Sequence, residues 1–315
     1  MLVMAPLFHA AGSGGVIANI WTLGTQVTLA VFDPKTALDL IEQHGITDSL
    51  GVPTMLAAIA EEQLIRPRKI DTLKTLAHGG SPIATEVLRR SHSAFPGAEL
   101  VEVYGATELS PLCTVLNNEQ NLINSPLARS CGRPTVGNEI DILDPSGHTL
   151  LPGEIGEVVV RGANVMQGYW NKPEQTAAVL KDGAYWTGDL GYMDDQGYVF
   201  LVDRSKDMIV TGGENVYCTE VEEVLYQHPA ILEAAVFGVP DDKWGEAVWA
   251  VIVPREGNET ESAQIIEFCR ERIASYKVPK GIDVQLDPLP KSGPGKVLKR
   301  ELRAPHWEGQ ERSVN

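Results

Sequence analysis

The chain has 315 residues, 43% of them hydrophobic and 22% charged, which is enough apolar material for a sizeable core and more than one domain. Its formal charge of -16 argues against a nucleic-acid binder, because phosphate backbones are held by basic patches and none dominates here. Cys113, Cys131, Cys218 and Cys269 are scattered without a Cys-x-x-Cys pair, and so fit buried thiols in a reducing, cytoplasmic compartment better than a disulfide framework or a zinc site.

The start, MLVMAPLFHAAGSGG, lacks the basic residues that precede the apolar core of a signal peptide and reads as a core strand. The apolar region from Gly14 to Phe32 is interrupted by Asn19, Thr22, Gly24, Thr25, Gln26 and Thr28. That predicts a buried helix followed by a strand, with no transmembrane segment. The runs VTLAVF, TALDLIEQHG, ITDSLGVP, MLAAIAEEQL and TLKTLAHGG then alternate strand and helix patterns, as βα units of a mostly parallel sheet do. From Ser130 to Asp203 the strands EIDILD, EVVVRG and YVFLVD are separated by turn signals such as DPSG and LPGE, which predicts a compact antiparallel barrel or sheet.

Beyond Asp203 the pattern changes again. Thr219 and Glu222 match a capping box ahead of an apolar helical face. The strands ILEAAVF and AVWAVIV, a helix carrying Ile265, Ile266, Cys269 and Ile273, and the strand IDVQL complete a small α+β domain. The expected fold class is therefore α/β, with a partial parallel-sheet αβ subdomain over about 1–125, a β-barrel-like subdomain over about 126–204, and a small α+β C-terminal domain over 205–315.

Several stretches carry chemistry. In VEVYGATELS, a strand runs into Tyr104 and Gly105 and then into Thr107 and Glu108, placing a hydroxyl and a carboxylate at the carboxyl end of a strand, where α/β folds bind ligands. Thr107 can meet a phosphate oxygen, Glu108 can hold Mg²⁺, and Tyr104 can stack on a flat ring. A simple strand end with a helix cap accounts for the same residues. In YWTGDLG, Asp189 can accept from both hydroxyls of a ribose, or it can be an Asp in a turn. In DRSKDMIVTGGENVYCTEVE, Arg204 offers a fork of donors, and Gly212 and Gly213 permit close backbone approach. PKSGPGKVLKRELR sets Lys296 just past a Gly-Pro-Gly. It is not a Walker loop, because Pro290 and Val297 occupy positions that need Gly and Ser or Thr, and a loop entering a solvated helix also accounts for it.

Together and in order, PLFHAAG, HGGSPI, YGATE, QGYWNKPEQT, YWTGDLG, DRSKDMIVTGGENVYCTEVE and PKSGPGKVLKRELR resemble the adenylate-forming superfamily of acyl-CoA synthetases, peptide-synthetase adenylation domains and beetle luciferases, from Pro6 to Arg303. Within that superfamily the resemblance is to the acyl-CoA synthetase, or AMP-dependent fatty-acid–CoA ligase, type. It implies that 1–204 is the C-terminal part of a large AMP-binding domain and that 205–315 is a small mobile domain. It further implies nucleotide contacts from Gly79, Gly80 and Ser81, from Tyr104 and Gly105, and from Asp189, Arg204 and Gly213. Thr107 and Glu108 would act at the phosphate and Mg²⁺, and His9 near the substrate carboxylate, with a core histidine as the alternative. Lys206 would be the hinge. Lys296 would be the mobile catalytic lysine of adenylation, withdrawn when the GGEN segment meets the incoming thiol.

The implied co-substrates are a carboxylic acid, ATP and coenzyme A, with AMP and Mg²⁺ as further ligands. Small residues in AAGSGG favour a medium- or long-chain fatty acid, with an aryl acid as the alternative. Peripheral membrane contact and oligomeric state are left open. The Ser/Thr/Gly-rich loop ending in lysine that cradles the outer phosphates in such enzymes has no counterpart here, and the glycine cluster Gly12-Ser13-Gly14-Gly15 lacks a lysine. The expectation is therefore a truncated acyl-CoA ligase. The alternative is a non-catalytic remnant that binds AMP or acyl-AMP or pairs with a separate N-terminal half. A serine hydrolase is disfavoured, since GGSPI lacks the last glycine of Gly-x-Ser-x-Gly.

Overall fold

The computed structural model describes residues 1–258 and 260–308. They fall into two compact units, one of Met1–Thr187, Gly191–Leu201 and Gly293–Lys296, the other of Gly188–Leu190, Val202–Ser292 and the residues from Val297 on.

In the first unit, strands β1 (Leu2–Val3), β2 (Val27–Thr28), β3 (Asp48–Gly51), β4 (Thr75–Gly79) and β5 (Glu99–Tyr104) lie in the order β2-β1-β3-β4-β5, all parallel. Helices α1 (Ala10–Trp21), α2 (Pro34–His44), α3 (Pro53–Ile65) and α4 (Thr85–Ala94) connect them. The pattern TALDLIEQHG becomes α2 for local reasons. Asp33 accepts from the Thr36 amide at 2.8 Å, Pro34 begins the helix, and Gly45 ends it at φ 58. Leu38 and Ile41 of α2, Leu56 and Ile59 of α3 and Leu88 of α4 bury against Leu76 and Leu100 of the sheet.

The sheet then turns antiparallel through β6 (Thr114–Leu116) and β7 (Ser130–Pro134) and continues through β8 (Asn138–Leu143), β9 (Gly156–Gly162), β10 (Leu180–Lys181), β11 (Ala184–Met193) and β12 (Val199–Arg204), with α5 (Pro173–Val179) alongside. Ile140, Ile142, Val158, Val160 and Val199 form the core of this region together with Tyr104. The parallel αβ region and the antiparallel region expected of the sequence are strands of one twelve-stranded sheet.

The second unit is the expected small α+β domain. Strands β13 (Ile209–Thr211), β14 (Glu214–Val216), β15 (Ile231–Asp241) and β16 (Gly245–Pro254) run in the order β14-β13-β16-β15, and β17 (Gly281–Val284) pairs parallel with β16. Helices α6 (Cys218–Tyr226) and α7 (Ser262–Arg270) cover one face through Val221, Leu225 and Ile265, and Phe237, Val251 and Leu289 pack on the other with Leu302 of α8 (Lys299–Arg303).

Two local expectations are corrected. The helix predicted between Gly14 and Phe32 forms, but it is not buried: Ile17, Ile20 and Trp21 are 65%, 60% and 88% exposed, while Gly12 and Gly15 are the buried positions, set against Ala5, Pro6 and Met1. The capping box at Thr219 also fails. Helix α6 starts two residues earlier, with Tyr217 at its cap; its first amide, that of Cys218, is met by Asp203, and the Thr219 hydroxyl donates to the Val202 carbonyl. Glu222 faces the interior, where its carboxylate accepts from the Val236 amide at 2.8 Å. Among the described residues no helix is long and apolar enough to cross a membrane.

Candidate nucleotide site

Strands β4 and β5 are parallel neighbours, so the motifs that follow them, Gly79-Gly80-Ser81 and Tyr104-Gly105, emerge side by side at the carboxyl edge of the sheet. The approach is close enough to dictate residue type. A Cβ on Gly79 would lie 2.1 Å from the Val103 carbonyl oxygen. Gly80 then turns at φ 86, a conformation costly for any residue with a side chain.

Residues 293–296 belong to this unit, and there Lys296 Nζ donates to the Gly80 carbonyl at 2.9 Å. The loop is seated by a second bond, from Thr54 Oγ1 at the start of α3 to the Gly295 carbonyl at 2.8 Å. His9 caps α1 and is half-buried, so it is not the core histidine of the alternative reading. Its Nδ1 accepts from the Ala11 amide at 3.2 Å. Partial burial and the nearby Lys296 charge lower its pKa. Ser81 is half-buried beside Gly80. The structure thus brings His9, Gly80 and Lys296 together. The small residues of AAGSGG mainly serve close packing: a Cβ on Gly12 would meet the Pro6 carbonyl at 2.2 Å and one on Gly15 the Met1 side chain, so they give no measure of acyl length.

Tyr104 is 8% exposed and packs with Leu109 and Cys113, so any ring stacked on it would touch only the edge it leaves open. After it, a Cβ on Gly105 would fall 1.9 Å from the Pro111 carbonyl. Thr107–Leu109 form a single 3₁₀ turn in which Thr107 is exposed and Glu108 half-buried. The Tyr169 hydroxyl donates to Glu108 Oε1 at 2.7 Å, and among the described residues nothing donates to the other carboxylate oxygen. No group of three or more His, Cys, Asp or Glu side chains that could hold a metal ion is present among the described residues. One hard, half-exposed carboxylate fits Mg²⁺ carried by a nucleotide, which takes one or two carboxylates plus phosphate oxygens, rather than a metal held in an all-protein cage.

In the second unit, Arg204 Nε donates to Asp189 Oδ1 at 3.1 Å, with the Arg204 side chain 45% open to water. The neighbouring Asp203 is buried and accepts from the amides of Arg204 and Cys218. Burial pushes its pKa up to about 6 against the opposing pull of Lys299 and those two amides. Lys206 is exposed in the turn after β12, and Gly213 has φ 86 with open space where a Cβ would stand.

Four features were missed in the sequence: the Tyr169–Glu108 bond, Asp203, the Lys299–Glu222 ion pair at 2.7 Å, and a buried His78–Glu119 contact of 2.5 Å behind the HGG turn. Glu102, paired with His78 across β4 and β5, has its pKa raised well above normal by burial and then by the Glu119 charge. A polar His and Glu on adjacent core strands was the available signal for that last group.

Comparisons with known proteins show the family to which the chain belongs. The model of the AMP-binding enzyme family matches residues 1–170, and that of the AMP-binding enzyme C-terminal domain matches residues 220–296. The chain belongs to the AMP-binding enzyme family. It is 42% identical over 303 residues to a feruloyl-CoA synthase of an Amycolatopsis species, covering 96% of this chain and 60% of that protein. It is 38% identical over 306 residues to a long-chain-fatty-acid–CoA ligase of Bacillus subtilis, covering 96% of this chain and 53% of that one. Among solved structures it resembles the o-succinylbenzoate coenzyme A synthetase of Bacillus subtilis in complex with ATP and magnesium ion, with a TM-score of 0.81 and 32% identity, covering 96% of this chain and 60% of that one. The chain therefore spans 53% to 60% of the length of these relatives.

Proposed function

We propose that this chain carries the catalytic residues of an AMP-forming acid–CoA ligase acting on an apolar carboxylic acid, with a medium- or long-chain fatty acid as the first candidate class. The observation that carries the reading is the Lys296 ammonium, held 2.9 Å from the Gly80 carbonyl and near His9. A carboxylate oxygen attacks the α-phosphorus of ATP and pyrophosphate leaves. The CoA sulfur then attacks the acyl carbonyl and AMP leaves.

In the first step, charge accumulates on the carboxylate and the α-phosphate, where a positioned ammonium lowers the barrier. His9 complements it. Because Nδ1 accepts from the Ala11 amide, the ring proton sits on Nε2, and the lowered pKa keeps the ring neutral near Lys296. It can thus donate to the substrate carboxylate without repelling the lysine. Thr107 is open to donate to a phosphate oxygen, and Glu108 would hold Mg²⁺, which neutralises phosphate charge when bound. Gly79, Gly80, Ser81, Tyr104 and Gly105 would line the base and the acyl end. Asp189, aligned by Arg204, would accept from the ribose hydroxyls, while Gly213 gives the thiol room and Lys206 serves as hinge. The four free, buried thiols support a cytoplasmic setting.

Two assays on the full-length gene product test the reading: carboxylate-dependent exchange of pyrophosphate into ATP, and CoA thioester formation. The acid panel sets fatty acids against ferulic acid, because the relatives include ligases of both kinds. Exchange and thioester formation with one of these acids is the expected result. AMP binding with neither reaction would instead identify a non-catalytic nucleotide binder.

A further inference from the structure

The motif QGYWNKPEQT has no part in the roles above, yet it reaches the turn that carries Thr107 and Glu108. Tyr169 donates to Glu108 Oε1 at 2.7 Å. The Met166 amide donates to the Glu108 carbonyl at 2.8 Å, Asn164 Nδ2 to the Leu109 carbonyl at 2.8 Å, and Ser110 Oγ to the Asn164 carbonyl at 2.9 Å. Tyr169 is itself fixed, its amide donating to Thr176 Oγ1 at 2.9 Å while that hydroxyl donates to the Lys172 carbonyl at 2.9 Å. Both the backbone and the carboxylate of Glu108 are therefore held by residues 164–176.

We propose that Tyr169 is a positioning residue that fixes one oxygen of Glu108 so that the other points to the metal of the bound nucleotide. This rests on the reading of Glu108 as the Mg²⁺ ligand. An ionised carboxylate only accepts, so the phenol must donate. A carboxylate left to rotate would lose the alignment that makes a single protein ligand effective, and partners of this kind typically change metal affinity about 10-fold or more.

The test measures Mn²⁺ binding to the ATP complex of the full-length gene product by electron paramagnetic resonance, alongside metal-free AMP affinity and the Mg²⁺ dependence of exchange. Tyr169→Phe removes only the hydroxyl. The expected result is about a 10-fold loss of Mn²⁺ affinity with AMP affinity unchanged, and no further loss in Tyr169→Phe with Glu108→Gln than in Glu108→Gln alone. If Glu108→Gln weakens Mn²⁺ but Tyr169→Phe does not, the positioning role is overturned. If neither does, the reading of Glu108 as the metal ligand falls and the proposal with it. Should Tyr169→Phe fold poorly, Thr176→Ala, which releases the Tyr169 backbone, must show the same selective loss of metal affinity to a smaller extent, and an unchanged affinity there overturns the proposal.

Discussion

The Lys299 ammonium lies 2.7 Å from the Glu222 carboxylate, pinning α8 to α6 within the second unit. Burial alone would lower the Lys299 pKa, but the charge of Glu222, with that of Asp203, outweighs it and the net shift is upward. Removing one partner leaves the other charge in a largely closed site. Lys299→Met is expected to destabilise the protein by about 2 kcal/mol, below the range for fully buried pairs because about a fifth of each side chain meets water. Adding Glu222→Gln should recover part of the loss, since Gln leaves no unpaired charge and its oxygen can still accept from the Val236 amide. Denaturant unfolding of the two single variants and the double variant checks this, and a double variant weaker than the sum of the singles would refute it.

Asp203 predicts a pH dependence. Its pKa is raised from 3.8 to about 6 in the folded chain, so between those values the folded state binds more protons than the unfolded state. Stability from this group is therefore greatest below pH 3.8 and declines as pH rises to about 6, by up to about 3 kcal/mol. Lys299, Glu222 and Cys218 surround it, and Asp203→Asn removes its titration. The difference between wild-type and variant unfolding free energies should fall across that window and level off above it. A difference independent of pH would assign the elevated proton affinity elsewhere.

Much of the architecture was legible because it is local. Asp33, Pro34 and Gly45 announce the start and end of α2, and the alternating runs EIDILD and EVVVRG form an antiparallel pair with Ile140 opposite Val160. The strand-end motifs could be placed at one sheet edge once βα alternation implied parallel β4 and β5. What was hidden depends on distant partners. Tyr169 and Glu108 are 61 residues apart, and no periodicity links a phenol to a carboxylate across that gap. Thr219 and Glu222 had capping-box spacing, but a carboxylate from β12, Asp203, took the helix end first. Helix α1 reads as core by composition, whereas Gly12 and Gly15 are its buried residues and Ile17, Ile20 and Trp21 face water.

Backbone spacing at the site gives a stability prediction. An added methyl at Gly79 meets the Val103 carbonyl at 2.1 Å, and one at Gly105 meets the Pro111 carbonyl at 1.9 Å, so backbone must shift in both cases. Gly79→Ala and Gly105→Ala are each expected to cost about 2 kcal/mol or more, whereas Gly14→Ala, with nothing within 4 Å and inside a helix, should be neutral or stabilising. Thermal unfolding of the three variants decides it. Equal effects at Gly79 and Gly14 would contradict the close approach of β4 and β5.

Lys296 carries the sharpest prediction, because structure and chemistry can be read on the same variant. Its charge acts on His9, so Lys296→Ala should raise the His9 pKa toward, without reaching, the ordinary value, since partial burial is the larger cause of the depression. A two-dimensional NMR titration of the ring resonances measures this without any turnover. In the full-length gene product the same substitution should cut acid-dependent pyrophosphate exchange by about 10²-fold or more, the scale on which one oriented donor at a developing charge matters. Transfer from pre-formed acyl-AMP to CoA should survive, because the resemblance to adenylate-forming enzymes implies that this lysine has left the site before the thiol enters. A His9 shift with exchange intact would leave Lys296 as a seat for the 293–296 loop on Gly80, and equal loss of both half-reactions would remove the division of labour between the two steps.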